Sequence, residues 1–478
     1  MVRESIFKKV RAEKCFERVI TEFKKLETEG ILYKGCEVIK VVVQYMLGDN
    51  LGQHVVGGFI ECFSADYFCR FCQITKAQFR ANPHLTNQQI TIQEYEQCVH
   101  ESQLSGEHSK GVKFNSPFNS LLHFHATSHL VPCLAHDLFE GVVSWDLAGI
   151  IAHFVSKKWF SYKLLNRRIR LFQCTGSDGP NKPAFVPDTG KKLGGHAVQN
   201  WTLLRLFSFI IGDKIKDYED PGWLLYLQLK ELCENFCAPS QKKTDIPYIQ
   251  DVLIPAYFER RATVLTKKRY RVKPKHHFLA HFCQLLLRYG GLLYLWTLSY
   301  EQKHKFFKEV MRNCKNFINP EYTCAVRYQL NFCCVTSGPM ISKGCNEIQP
   351  KHLASCDFQC ELTQFLEDLN LEDGWRYSKR ISFDRLTYTV NDLVLLSSEE
   401  DSVTAAFIMA IATRMDCKFF ALEVVKADKC PVEGIYYLPL RSSGQYLWMS
   451  AADLQHPVPQ PIYVHRGRQC FSLKYHMS

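Results

Sequence analysis

The chain contains a single Cys-x2-Cys, Cys69 and Cys72, at the end of the stretch LGDNLGQHVVGGFIECFSADYFCRFC at 47–72. Two thiols at this spacing reach one zinc ion, and a closed tetrahedral site then needs two more ligands. The pair that matches in type and spacing is His277 and His281, in PKHHFLAH. A helix is expected after Pro274, and residues four apart stack on one helix face. Zinc held by Cys69, Cys72, His277 and His281 closes a loop of about 200 residues, a stronger constraint than any local element. The plainer alternative is two buried thiols and two ordinary helix histidines. The Glu of His-Glu-x-x-His is missing, so the histidine pair is not a zinc-protease motif.

At 478 residues the length prior is about three domains. Hydrophobic content of 46% with 13% aromatics is enough for real cores and excludes wholesale disorder. The 21 cysteines are scattered and odd in number, and MVRESIFKKVRAEK at the start reads as a charged helix rather than a secretion signal. Mostly free thiols in a reducing, intracellular compartment are expected. No run reaches 18 uncharged apolar residues, so no membrane span is expected.

Apolar residues at helical spacing through 3–29 predict a helix that Gly30 stops. The β-branched run Val38–Leu47, bounded by Gly35 and Gly48, predicts a strand buried on at least one face. Gly57-Gly58 and the cysteines suggest an irregular, metal-pinned loop from about Gly52 to Cys72. From Pro132 a 3.6-residue pattern through Leu134, Leu138, Val142, Leu147, Ile151 and Phe154 predicts a long helix, and further helical segments make 132–264 an all-α block. Another helix is expected near Leu298. From Phe383 short strands with turn signals fit a β-barrel of SH3-like size.

Three acids are candidates for a divalent metal. Asp49 ends the apolar run, Asp137 opens the long helix, and Glu301 lies in the helix after Leu298. Two-metal phosphoryl transfer needs carboxylates converging from separate elements. Taken singly, Asp49 reads as a turn or helix-cap residue and Glu301 as a first-turn helix acid. The basic run Lys267, Lys268, Arg269, Arg271, Lys273 and Lys275 offers phosphate contacts or else forms a solvated loop. The net charge of +11 favours acidic partners such as nucleic acid.

Together these residues resemble the DDE cut-and-paste transposases of the CACTA/EnSpm (CMC) group. The resemblance rests on GDNLGQHVVGGF (48–59), CRFC (69–72), HDLFEGV (136–142), GGHAVQNWTLLRLFSFIIGD (194–213), PKHHFLAH (274–281) and YEQKHKFFKE (300–309). It covers roughly residues 1–335. It implies an α+β fold: a remnant of an RNase H-like (DDE) core with a large all-α insertion, to which the small C-terminal barrel is added. The expected divisions are 1–110 for the partial RNase H-like segment, 111–265 for the helical insertion, 266–335 for the histidine- and Glu301-bearing helices, 336–375 for a linker and 376–478 for the β-rich domain.

The resemblance further implies nuclear localisation, DNA as partner, structural Zn²⁺, and Mg²⁺ or Mn²⁺ if the chain is active. A protein partner or homo-oligomer is also expected, and no membrane. In the family the first catalytic Asp lies before the strand that ends in the second. Only one helix precedes Val38–Leu47 here, so a catalytically inactive, domesticated protein is expected. An active nuclease using Asp49, Asp137 and Glu301, or a fragment of a longer transposase, are the alternatives.

Overall fold

The computed structural model describes residues 10, 12–315, 317–337, 346–347, 350–353, 356–371, 373–383, 386–399, 401–415, 417–440 and 443–477. It is mixed helix and sheet, 48% helical and 19% strand, an α+β composition. The chain divides into two compact units. The first comprises 1–158, 185–201 and 219–315, and the second 159–184, 202–218 and 316–478.

In the first unit, helix α1 (Ala12–Thr28) buries Ile20 and packs Phe16 and Phe23 against a core of Phe59, Tyr95, Val99, Val112 and Phe118. Its described part agrees with the expected helix; residues 3–9 and 11 lie outside the described residues. Gly30, at φ 79°, ends it.

The strand expected over Val38–Leu47 is corrected. Its start, β2 (Glu37–Ile39), pairs with β1 (Ile31–Tyr33) in a hairpin whose every residue is exposed, and its end makes a single parallel bridge, Met46 to Leu130. Val41 and Met46 donate their N–H groups to Leu26 and His129 carbonyls, and Val43 and Met46 pack against the core. β-branched residues favour a pleated surface where neighbouring strands exist to pair with. Among the described residues of this unit, none beyond β1 pairs with β2.

The loop expected from Gly52 is also partly helical. Helix α2 (Asn50–Gly57) is capped by Asp49, whose carboxylate accepts the Gly52 N–H at 2.7 Å. It ends at Gly58 in the left-handed conformation.

The long apolar helix is continuous from Ala135 to Ser156, beginning as wide π-helical turns (Ala135–Val142) and continuing as α3 (Val143–Ser156). It is long and apolar enough to cross a membrane by composition, but most of it is buried inside the protein. Helices α4 (Pro274–Tyr289) and α5 (Leu298–Cys314) follow the pattern expected of 274–314.

In the second unit, two long strands, β3 (Ser402–Arg414) and β4 (Cys417–Cys430), form an antiparallel hairpin with a register shift at Ala421/Leu422. Their length lets each pair with further strands along its course, giving a ten-stranded antiparallel sheet beside a separate three-stranded one. This is larger than the small domain expected from the strand signals. Apolar side chains cover both faces of β3: Val403 and Ala405 lie in one cluster, Ala406, Ile408 and Ile411 in another.

The helical pieces 159–184 and 202–218 belong with this sheet. Tyr463 donates to Asp178, which also pairs with the buried Arg205, and Ser208 donates to the Glu433 carbonyl. Residues expected as linker include a helix, Cys360–Asp368, packed through Leu362 against Ala410 and Ala421.

Candidate metal centre and its surroundings

Cys69 and Cys72 lie on an irregular turn closed by a bridge between Tyr67 and Thr75, and a second bridge joins Cys72 to Gln89. The Phe71 N–H donates to the Cys69 sulfur at 3.3 Å. Facing them, α4 starts at Pro274, where a missing N–H costs a helix nothing. Its 3.6-residue period places His277 and His281 together, with Nε2 atoms 3.1 Å apart.

The two pairs converge. Cys69 Sγ lies 3.5 Å from His281 Nε2, and Cys72 Sγ lies 3.4 Å from His277 Nε2. All four ligand atoms fall within 4.8 Å of one another. A tetrahedral zinc with Zn–S of about 2.3 Å and Zn–N of about 2.1 Å has edges of about 3.3–3.8 Å, so the donor set and its spacing fit a metal such as zinc. Four protein ligands around one ion would leave no open position, the arrangement of structural rather than catalytic zinc sites.

The setting is dry. His277 and His281 are buried, with Phe68, Phe71 and Phe79 packed around their rings at 5.3–5.8 Å. Burial pushes the Cys69 thiol well up, whereas hydrogen bonds, first from Cys69 and then from His277 and His281, hold Cys72 low. Burial also lowers His281, favouring the neutral imidazole that ligation requires. Two thiolates and two neutral imidazoles around a divalent cation would make a cluster of no net charge. His277 Nδ1 is buried without a hydrogen-bond partner, so outer-shell support for that ring comes from aromatic packing alone.

The candidate acids do not join this centre, and among the described residues they do not converge on a metal-sized site of their own. Asp49 is spent on the α2 cap. Its neighbour Asn50 reaches a second candidate acid: the Asn50 amide donates to the buried Asp137 carboxylate and accepts from Arg70 Nη1 at 2.6 Å. Arg70, between the two cysteines, is buried and stacks on Phe71 and Phe278. Glu301 is half exposed, accepts from Thr297 Oγ1 at 3.2 Å and lies 3.7 Å from His136 Nε2. Each carboxylate therefore satisfies a local donor rather than a shared cation.

His136 Nδ1 lies 3.2 Å from the Cys133 sulfur, and Thr297 Oγ1 lies 3.2 Å from the same sulfur. The bond to Cys133 raises His136 to about 9, while His136 and Thr297 outweigh burial and lower the Cys133 thiol. This pair is not legible from spacing as a site, although a Cys and a His three apart at a helix start lie on one face.

A second network, also missed, fixes the start of α4. Asp146 of α3 accepts from Tyr257, from Arg261 Nε at 2.6 Å and from Arg261 Nη2 at 2.9 Å, and lies 3.1 Å from His276 Nε2. Burial alone would raise Asp146; Arg261 and then His276 outweigh it and hold the carboxyl below its usual range. The available signal was an acid in the otherwise apolar VSWDLAGIIAHF, since a buried charge demands a partner.

The basic run separates into two parts. Lys267, Lys268, Arg269 and Arg271 are exposed. Lys275 Nζ donates to the His136 carbonyl at 2.7 Å, and Lys273 Nζ lies over the Trp145 ring at 4.7 Å, so these two cations hold α4 to the long helix. No model of a known protein family matches the chain, and no curated protein sequence matches it.

Proposed function

We propose that this protein is a transposase-derived nuclear protein, a domesticated remnant of a DDE core, that binds DNA through a zinc-tied scaffold and does not cut it. The observation that carries the reading is the meeting of Cys69 and Cys72 with His277 and His281 across more than two hundred residues of chain. That pairing is the one the CACTA-type resemblance implies. The exposed cations Lys267, Lys268, Arg269 and Arg271 supply positive charge for phosphate contacts. DNA as partner and the nucleus as compartment follow from the resemblance.

The inactive reading is supported by what the acids do. Strand cleavage by two metals requires both the nucleophile and the leaving oxygen to be metal-stabilised. Asp49, Asp137 and Glu301 are each bound to a cap, an amide or a hydroxyl instead. The purified zinc-loaded chain, incubated with supercoiled plasmid and Mg²⁺ or Mn²⁺, should nick no faster than an Asp49→Ala/Glu301→Ala double variant. Nicking that the double variant abolishes would replace this reading with an active nuclease.

A further inference from the structure

We propose that a cavity in the second unit binds the methylated lysine side chain of a basic peptide. The cavity has a volume of about 410 Å³, within the usual range for ligand sites. Its lining brings Leu353, Phe358, Leu366 and Trp375 together with the acids Glu367 and Asp373, and includes His352 and Asn370. Leu353 is buried, whereas both acids are exposed. The site therefore joins apolar and aromatic surface to two exposed carboxylates.

The walls are held from behind. The Leu353 N–H donates to the Trp375 carbonyl at 3.0 Å, next to the strand pairs Lys351–Tyr377 and His352–Arg376. Trp375 meets Trp448 and Phe419 edge-on at 5.7 and 5.5 Å, and Phe358 meets Tyr377 at 5.2 Å. An aromatic surface fixed by other rings binds a ligand without first paying the entropy of ordering itself.

Charge selects the occupant. Between Lys351 and Arg376 the sequence carries Asp357, Glu361, Glu367, Asp368, Glu372 and Asp373 and neither Lys nor Arg, in a chain whose net charge is +11. Glu367 and Asp368 sit in the last turn of the Cys360–Asp368 helix, which has no basic residue there. Acids at the negative end of a helix dipole are unfavourable in isolation, and a bound cation relieves both terms.

The aromatic lining selects the kind of cation. The head group of an entering side chain would meet Leu353, Phe358 and Trp375. A plain ammonium loses strong hydration there, while an N-methylated one is weakly hydrated and gains the cation–π contact. The exposed carboxylates of Glu367 and Asp373 then meet the Lys and Arg residues that flank it in a basic peptide.

The test uses the full-length protein and fluorescence anisotropy. The probes are a labelled basic peptide with a central trimethyllysine, its unmethylated twin, and choline as competitor. The methylated peptide should bind about tenfold tighter than its twin, with choline competing only weakly. Trp375→Ala should abolish binding. Trp375→Phe, which keeps a ring in place and guards against simple unfolding, should retain the methyl preference at reduced affinity. Glu367→Gln with Asp373→Asn should weaken both peptides and flatten the salt dependence while leaving the preference intact. Equal affinity for the two peptides would reduce the site to a plain acidic surface. Tight choline binding without peptide binding would make it a small-molecule site. No binding, or binding indifferent to Trp375, would also overturn the proposal.

Discussion

Gly58 caps α2 at φ 73°, and a Cβ built on it would meet the Phe114 carbonyl oxygen at 2.0 Å. Gly106 ends its own helix at φ 72° with nothing within 4 Å of a Cβ. The two glycines share the left-handed strain, about 1–2 kcal/mol for a side chain, but only Gly58 adds a backbone collision. Gly58→Ala should therefore cost about 3 kcal/mol or more, and Gly106→Ala about 1 kcal/mol, by chemical denaturation. Equal costs would mean that the α2–Phe114 approach yields freely.

Asp146 offers a second measurement at this scale. Its folded carboxyl is depressed, so its contribution to stability is present above the unfolded value of about 3.9 and is lost as pH falls through and below it. Asp146→Asn leaves Arg261 buried without its anion, and should cost about 3–5 kcal/mol near pH 7. The gap between the two proteins should narrow steadily below about pH 4. A gap that stays constant there would show that the Asp146 charge contributes nothing.

Helix α4 is the element on which several constraints meet. His277 and His281 face the cysteines, His276 faces Asp146, and Lys275 reaches the long helix. Its pattern was readable because i,i+4 spacing is a property of the helix itself. The predicted strand at Val38–Leu47 was not readable in the same way, since a strand is completed by neighbours the local sequence does not contain. The purified protein should carry one zinc per chain, and Cys72→Ser or His281→Asn should carry none, by elemental analysis. Losing a tie between residues 212 apart should cost on the order of 5 kcal/mol by the loop-closure argument. Faster hydrogen exchange should appear in both 67–75 and 274–289. Unchanged zinc content in either variant would exclude this ligand set.

For the molecule as a whole, the exposed part of the basic run sets the expected behaviour toward DNA. Binding to duplex should fall steeply with salt, and Lys268→Ala, Arg269→Ala and Arg271→Ala together should reduce the slope of log K against log salt by about 2–3. Lys275→Ala should act differently. It removes a bond to the His136 carbonyl, so it should lower stability by about 1 kcal/mol and leave the salt slope nearly unchanged. A triple variant with an unaltered slope would return the run to an ordinary solvated loop.

The sequence alone determined the helical segments, the β-rich character of the C-terminal part, and the ligand types and spacings of a candidate metal centre. These are local properties: side-chain period, propensity and the reach of two residues on one turn or helix. The tertiary structure decided which pairs meet, because closure across two hundred residues depends on every element between them. It also decided that Asn50 reaches Asp137 while Asp49 caps α2, that Lys273 and Lys275 leave the basic run for structural contacts, and that 159–184 and 202–218 pack with the C-terminal sheet. A buried polar group is placed by the partner that satisfies it, and that partner is chosen by packing.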